Sequence, residues 1–180
     1  MRRWVYKSMN DGALMEAYAK GQVAAFECLY LRHKIKVFNF LRRQCDIESI
    51  AEELTHDTWI AVINQAGRYQ RQAKFTTWLF RIAHNRLVDH WRKQNGSPQL
   101  LTTEILDQIA DDRYADVLNP EIEELLKNLE VLSEHQLEAL LLKIEGFSHQ
   151  EIAHMTGAKQ ETVKSRLRYA SKYLRQLRTS

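Results

Sequence analysis

Ser148-His149-Gln150-Glu151-Ile152-Ala153-His154-Met155-Thr156-Gly157-Ala158-Lys159-Gln160-Glu161-Thr162-Val163-Lys164-Ser165-Arg166-Leu167-Arg168 is the stretch that decides the fold. Ser148-x-x-Glu151 is a capping box, in which the serine serves an orphan amide and the glutamate reaches back to the serine's own N–H. Ile152, Ala153 and Met155 follow at helical spacing, and Gly157 breaks the short helix. A longer helix is predicted from about Gln160 to Leu177, with Val163, Leu167, Ala170, Leu174 and Leu177 at steps of four, three, four and three. A capped short helix, a glycine turn and a longer helix make a helix-turn-helix, in which Ala153 is the small residue that lets the two helices approach. Upstream, Ser133-x-x-Gln136 is a second capping box, opening a helix through Leu140, Leu141 and Ile144 that Gly146 ends.

The charges of the longer helix are sorted. Lys164, Arg168, Lys172 and Arg175 share one face, Ser165, Arg166 and Tyr169 lie beside it, and Glu161 is the acidic exception. In a major groove, Lys or Arg would donate to guanine while neighbouring groups grip phosphate.

The same sorting holds along the whole chain. Residues 1–95 carry 16 Lys/Arg against 9 Asp/Glu, residues 96–134 carry 2 against 10, and residues 135–180 carry 8 against 4. The net charge of +3 is therefore an average over +7, −8 and +4. Two basic blocks around an acidic middle predict two modules that face polyanions. Asn95-Gly96-Ser97-Pro98 stops one helical pattern, and Asn119-Pro120 opens another. Gln99 to Leu118, acidic and without a clean period, reads as a linker.

In the first block, Phe26, Leu29, Tyr30, His33, Val37, Phe40 and Leu41 mark the buried face of a long helix. A second helical pattern starts near Asp46, with Ile47, Ile50, Ala51, Leu54, Thr58, Ala61 and Val62 on one side. Its other side bears Glu48, Glu52, Glu53, His56 and Asp57. Arg68-Tyr69-Gln70-Arg71-Gln72-Ala73-Lys74 is a basic, aromatic-tipped loop. After it, Phe75 to Arg92 is predicted as a helix opened by threonine caps, with Phe75, Trp78, Leu79, Ile82, Ala83 and Leu87 buried. Arg81, Asn85, Asp89 and Arg92 form a row on another face. Trp78 reads as a core residue and Tyr69 as a stacking residue. A loop and row of this kind suit single-stranded or locally opened nucleic acid, because cations take phosphates, aromatic faces stack on bases and an Asn amide reads a base edge.

Composition excludes other classes. Six Gly and two Pro among 180 residues are too few turn signals for an all-β sandwich or barrel, and 44% hydrophobic residues exclude wholesale disorder. The longest aliphatic run, Ala139 to Leu142, cannot cross a bilayer. Met1-Arg2-Arg3 imitates a signal peptide, but Ser8-Met9-Asn10-Asp11-Gly12 stands where its apolar segment would be, so the expected location is the cytoplasm. Cys28 and Cys45 have neither disulfide-framework nor zinc-site spacing. The seven His include no pair three or four apart, and no HExxH, phosphate loop or nucleophile triad occurs. No enzyme, cofactor or metal is expected. The competing reading is a free-standing helix-turn-helix regulator, which leaves the first block without a task.

At this point the residues match a family. The chain resembles a bacterial RNA polymerase sigma factor of the sigma-70 family, in the extracytoplasmic-function (ECF) group, over residues 17–95 and 121–178. The similarity is carried by Ala25-Phe26-x-x-Leu29-Tyr30-x-Arg32-His33, Ala51 to Trp59, and Phe75-x-x-Trp78-Leu79-Phe80-Arg81-Ile82-Ala83-x-Asn85-x-x-x-Asp89-x-x-Arg92. In the last block it is carried by Glu145-Gly146-Phe147-Ser148-x-x-Glu151-Ile152-Ala153 and Thr162 to Leu167. The resemblance implies an all-α chain of two small helical domains: a region 2-like domain over 1–95, an acidic linker over 96–120, and a region 4-like helix-turn-helix domain over 121–180. It implies that Glu52, Glu53, His56, Asp57 and Trp59 dock on the clamp helices of the largest polymerase subunit. Arg68, Tyr69, Arg71 and Lys74 would capture a flipped-out −10 base, and Arg81, Asn85 and Arg92 would hold the adjoining DNA. Lys164, Ser165, Arg166, Arg168, Tyr169 and Lys172 would read the −35 element. The linker would thread toward the polymerase active-site cleft and RNA exit path, and an anti-sigma factor is an expected partner. The sequence departs from the family's common residues at Ser133, Leu137, His56 and Glu161, where Pro, Arg, Gln and Gly often stand. Leu137 is expected to alter a surface contact, and Glu161 to repel phosphate or accept from a cytosine amine.

Overall fold

Every regular element among the described residues is helical, as the spacing of apolar residues requires. A computed structural model describes residues 3–45, 47–71, 73–93 and 132–177. The elements are α1 (Arg3–Ser8), α2 (Asp11–Ala19), α3 (Val23–Arg42), α4 (Glu48–Asn64), a 3-10 turn (Ala66–Arg68), α5 (Phe75–Lys93), α6 (Glu134–Ile144), α7 (His149–Thr156) and α8 (Gln160–Leu177). The acidic linker, and Asp46 at the expected start of the second helix, lie outside the described residues. The chain divides into two compact units, Met1–Arg42 with Ser49–Gly96, and Arg43–Glu48 with Ser97–Ser180.

In the first unit α3 is the axis, packing on α1, α2 and α5. Leu29, His33, Val37, Phe40 and Leu41 are buried as their spacing predicts, while Tyr30 stays 39% exposed. Asn10 caps α2, its Oδ1 accepting from the Ala13 N–H at 2.9 Å. Arg32 of α3 closes the end of α1, donating to the carbonyls of Lys7 at 2.7 Å, Met9 at 2.8 Å and Tyr6 at 3.3 Å. Those are orphan carbonyls that a helix C-terminus leaves to outside donors. The same guanidinium meets Asp11 Oδ1 at 2.8 Å, and His33 Nε2 meets Asp11 Oδ2 at 2.8 Å. One carboxylate thus fastens the start of α2 to two successive residues of α3.

Three expectations for this unit need correction. Ile47 is 56% exposed, because α4 begins only at Glu48 and leaves Ile47 off its helical register. Helix α5 has no threonine cap. It begins at Phe75, whose burial to 2% exposure pins the chain there, so Thr76 and Thr77 fall inside the first turn and Thr77 is buried. Trp78 is only half-buried. Beyond the predicted stripe, Phe80 and His84 are also buried, Phe80 through an edge contact with Phe40 at 5.3 Å between ring centres.

The second unit is built from punctuation the sequence announces. Gln136 accepts from the Ser133 N–H at 3.1 Å. Glu151 accepts from the Ser148 N–H at 2.9 Å, while Ser148 Oγ accepts from the Glu151 N–H at 3.2 Å. Helix α6 ends in a Schellman motif: Gly146 has φ +90°, its N–H donates to the Lys143 carbonyl at 3.0 Å, and the Phe147 N–H donates to the Leu142 carbonyl at 3.2 Å. Phe147 is buried beyond it. Gly157, at φ +66°, makes the left-handed turn between α7 and α8. The core joins Leu137, Ala139, Leu141 and Leu142 of α6, Ile152 and Met155 of α7, and Val163, Leu167 and Ala170 of α8. Leu137 is therefore no surface residue. At 5% exposure it faces the core, which explains an aliphatic side chain at that position. The side chains of Leu174, Arg175 and Leu177 are outside the description.

The Asp11 carboxyl is held below its ordinary value of 3.8, foremost by the hydrogen bond to His33, against the opposing effect of burial, and further by Arg32. A folded-state value below the unfolded one gives stability that is fully present above the unfolded value and lost as pH falls through the folded one. Asp11→Asn is expected to lower stability at pH 7 by about 1–2 kcal/mol. The gap between the two proteins, followed by urea unfolding at stepped pH, should close as pH falls below 3.8; a gap independent of pH would show that the carboxylate's charge is not what holds the helices.

Candidate nucleic-acid interface

The loop between α4 and α5 does not stand free. Tyr69 follows the 3-10 turn and is half-buried, its ring centre 5.2 Å from Trp78 and 6.1 Å from Phe75. Its hydroxyl donates to the Ala73 carbonyl at 3.4 Å. Burial raises the phenol above its ordinary value, so it remains neutral at physiological pH. Arg71 reaches back to α2, with Nε 3.2 Å from Glu16 Oε1 and Nη2 3.1 Å from Asn10 Oδ1. Gly12 makes that approach possible: a Cβ there would lie 3.0 Å from Arg71 Nε and 3.4 Å from the Tyr69 hydroxyl.

Between the start of α2 and this loop lies an open cavity of about 650 Å³, lined by Asn10, Asp11 and Gly12 on one side and Tyr69, Arg71, Ala73, Lys74, Phe75 and Thr76 on the other. It combines aromatic walls with cationic and amide donors, a combination that suits one unstacked base and its phosphate. Sequence reasoning found the loop wall and missed the wall made by Asn10, Asp11 and Gly12. The cap signature marks the start of α2, but nothing local reports a neighbour some 60 residues along the chain. Arg68 is exposed on the 3-10 turn, and Gln72 is outside the described residues.

Helix α5 buries most of its circumference and leaves a narrow strip. Arg81, Asn85, Asp89 and Arg92 are all exposed on it, as their spacing predicts, and Arg92 Nη1 lies 3.7 Å from Asp89 Oδ1. On α4, Glu48, Glu52, Glu53, His56 and Asp57 are all exposed, with His56 Nδ1 3.8 Å from Asp57 Oδ1. Trp59 does not join them. It is 4% exposed, packed edge-on against Phe26 at 5.8 Å and Tyr30 at 5.1 Å between ring centres. Its part is to seat α4 on α3. The α4 surface instead carries Ile60 at 42% exposure and Ile63 at 38%, which acidic patterning alone did not point to.

On α8, Lys164, Arg168, Lys172 and Tyr169 are exposed, and Ser165 and Arg166 are half-buried. Glu161, expected to repel phosphate or accept from a cytosine amine, is paired with Lys164 at 2.8 Å one turn on. The pair offsets one cation of the basic face of α8.

Comparison with known proteins adds the following. Residues 29–96 match the family model Sigma-70 region 2, and residues 122–174 match Sigma-70, region 4. The chain is 32% identical to RNA polymerase sigma factor CarQ of Myxococcus xanthus over 165 residues, covering 91% of this chain and 94% of CarQ. It is 29% identical over 164 residues to ECF RNA polymerase sigma factor SigK of a Mycobacterium species (strain KMS), covering 86% of this chain and 83% of that protein. Among solved structures, the sigma factor RpoE in complex with the anti-sigma factor NepR from Bartonella quintana aligns with a TM-score of 0.67 at 23% identity, over 86% of this chain and 96% of that one. CnrH in complex with the cytosolic domain of CnrY aligns with a TM-score of 0.61 at 23% identity, over 93% and 96%. These two likenesses are of fold.

Glu161→Gln should release Lys164 to phosphate. Titration of the purified chain against duplex DNA at several salt concentrations is expected to give tighter binding, with a log–log salt slope steeper by about one ion. An unchanged slope would place Lys164 away from the DNA backbone.

Proposed function

The chain belongs to the sigma-70 family of RNA polymerase sigma factors, in the ECF group, and from that membership we propose a residue-by-residue division of labour for promoter recognition. The observation that carries it is the cavity of about 650 Å³ beside the Tyr69–Lys74 loop, aromatic on one wall and lined with donors. Residues 1–95 bind core polymerase and open the −10 region, residues 96–120 are the connecting linker, and residues 121–180 read the −35 element. The exposed Glu52, Glu53, His56 and Asp57, with Ile60 and Ile63 among them, form the face that docks on the clamp helices of the polymerase's largest subunit. Acidic groups around apolar ones suit a basic, amphipathic helical partner. Trp59 acts from beneath, by holding α4 in place.

The −10 base leaves the stack at a cost of a few kcal/mol and enters the cavity, where Tyr69 offers a ring face. Lys74 supplies positive charge at the cavity. Arg71 is primarily a positioning residue, because its guanidinium already bridges Glu16 and Asn10. Arg68, Arg81, Asn85 and Arg92 hold the neighbouring strand. In the −35 major groove, Arg168 and Lys172 contribute with Ser165, Arg166, Tyr169 and the paired Lys164.

The family consists of non-catalytic initiation factors, and no reaction is assigned to this chain. No described helix is long and apolar enough to cross a membrane. The cytoplasm, where the polymerase works, is the proposed location. RpoE is seen with an anti-sigma factor and CnrH with the cytosolic domain of CnrY, and an anti-sigma factor is proposed here by analogy with the first. A free-standing regulator would use α6 to α8 but give the acidic face and the cavity no task.

Mapping transcript starts after overexpression supplies the promoter. On it, Arg168→Ala should weaken holoenzyme binding by about 10-fold while leaving core affinity unchanged. Asp57→Lys should weaken core binding by about 10-fold or more. Failure of the wild-type chain to direct core polymerase to any promoter would overturn the assignment; both variants failing in the same assay would overturn the division of labour.

A further inference from the structure

The Sigma-70 region 2 match begins at residue 29, so it assigns no role to the wall of the cavity formed by Asn10, Asp11 and Gly12. The hydrogen bonds of that wall leave it with a definite chemistry. Asn10 Oδ1 accepts from the Ala13 N–H at 2.9 Å and from Arg71 Nη2 at 3.1 Å, so both of its lone pairs are used. Two donors converging on one atom also fix which end of the amide is oxygen. What Asn10 retains is the NH₂ group, a donor. Asp11 is turned to α3, its Oδ1 to Arg32 and its Oδ2 to His33, each at 2.8 Å. Arg71 and Lys74 carry donors only, and the hydroxyls of Tyr69 and Thr76 can act either way.

We propose that Asn10 reads the extruded base through its amide NH₂, and that the cavity selects a pyrimidine. This rests on the cavity being the −10 base site. A flipped base is read on its Watson–Crick edge. Cytosine presents two adjacent acceptors there, N3 and O2, and thymine presents two, O2 and O4, on either side of its N–H. Adenine offers one acceptor beside an amine, and guanine one acceptor beside two donors. A site whose amide oxygen is already doubly engaged, and whose carboxylate is turned to Arg32 and His33, favours the acceptor-rich edges. It also cannot make the two-point contact of a free asparagine with adenine, which needs the amide oxygen as well as the NH₂. The short distance between α2 and the loop, which Gly12 permits, keeps the Asn10 oxygen engaged by Arg71.

The test uses holoenzyme assembled from the full chain and core polymerase, selecting from a pool of random single-stranded 12-nucleotide DNAs, with core alone as background. Wild type should enrich pyrimidine over purine at one position by about 5-fold or more. Asn10→Asp keeps the α2 cap and the Arg71 contact but replaces the NH₂ by an acceptor. It should shift preference toward bases that present an amine, lowering the thymine-to-adenine ratio at that position by about 5-fold. Asn10→Ser, which also caps a helix, should flatten the preference, and circular dichroism establishes that each variant is folded. Tyr69→Ala separates the two levels of the proposal. If it erases the enrichment while both Asn10 variants keep the wild-type profile, the role of Asn10 is wrong and the base site stands. If enrichment survives Tyr69→Ala, the base site itself is wrong and the inference goes with it. Purine enrichment by wild type would also overturn it.

Discussion

The Asp11 carboxylate is the junction on which the arrangement of the first unit turns. It receives Arg32 on one oxygen and His33 on the other, and Arg32 continues to three carbonyls at the end of α1. Charge-assisted bonds of this kind are stronger and more directional than neutral ones. Their value here is geometric as much as energetic, because one side chain sets the order α1, α2, α3 and the angle at which α2 begins. Asn10 and Gly12 flank Asp11 in sequence, so the group that fastens the helix also aims the cavity wall. The anchor of the fold and one wall of the cavity share a three-residue segment.

Loop and helix then divide the work by burial. Tyr69, Phe75 and Trp78 form a cluster of rings with centres 5.2 to 6.1 Å apart, and burial decreases from Phe75 to the half-buried Tyr69 and Trp78. Phe75 anchors, and Tyr69 lines the cavity. Helix α5 behaves in the same way along its length. With Leu79, Phe80, Ile82, Ala83, His84 and Leu87 all buried, only a thin polar strip remains, and Arg81, Asn85, Asp89 and Arg92 occupy it. The strip's backbone is held by the buried residues on either side of it. On the proposed reading, that backbone placement lowers the entropic cost at which these side chains meet DNA.

Much of this was legible because it is local. The capping boxes at Ser133 and Ser148, the glycines at 146 and 157, and the apolar steps Leu29, Val37, Phe40 and Leu41 of α3 and Val163, Leu167 and Ala170 of α8 are relations among residues within a turn or two, and each appears where the pattern puts it. The errors arose where a distant contact overrode a local preference. Thr76 and Thr77 have cap chemistry, yet burial of Phe75 starts the helix ahead of them. Trp59 sits among exposed acids in sequence, yet Phe26 and Tyr30 enclose it. Leu137 departs from the family's arginine and lies in the core. Asn10 and Arg71 meet across 61 positions, a separation that no periodicity encodes.

Charge order, too, acquires a local meaning. The basic blocks are not uniform fields: Glu161 holds Lys164 at 2.8 Å and Asp89 lies 3.7 Å from Arg92, in each case three residues away on the same helix. Pairs at that spacing stabilise a helix by only about 0.2–0.5 kcal/mol. Their larger effect is on binding, since a cation already paired releases fewer counterions when it meets phosphate. On the proposed division of labour, each reading surface is thereby weakened as a non-specific polyanion binder. Two weak surfaces on one chain, brought to the same promoter, gain from effective concentration what each gives up alone. Specificity then comes from requiring both, which a single strongly basic face could not achieve.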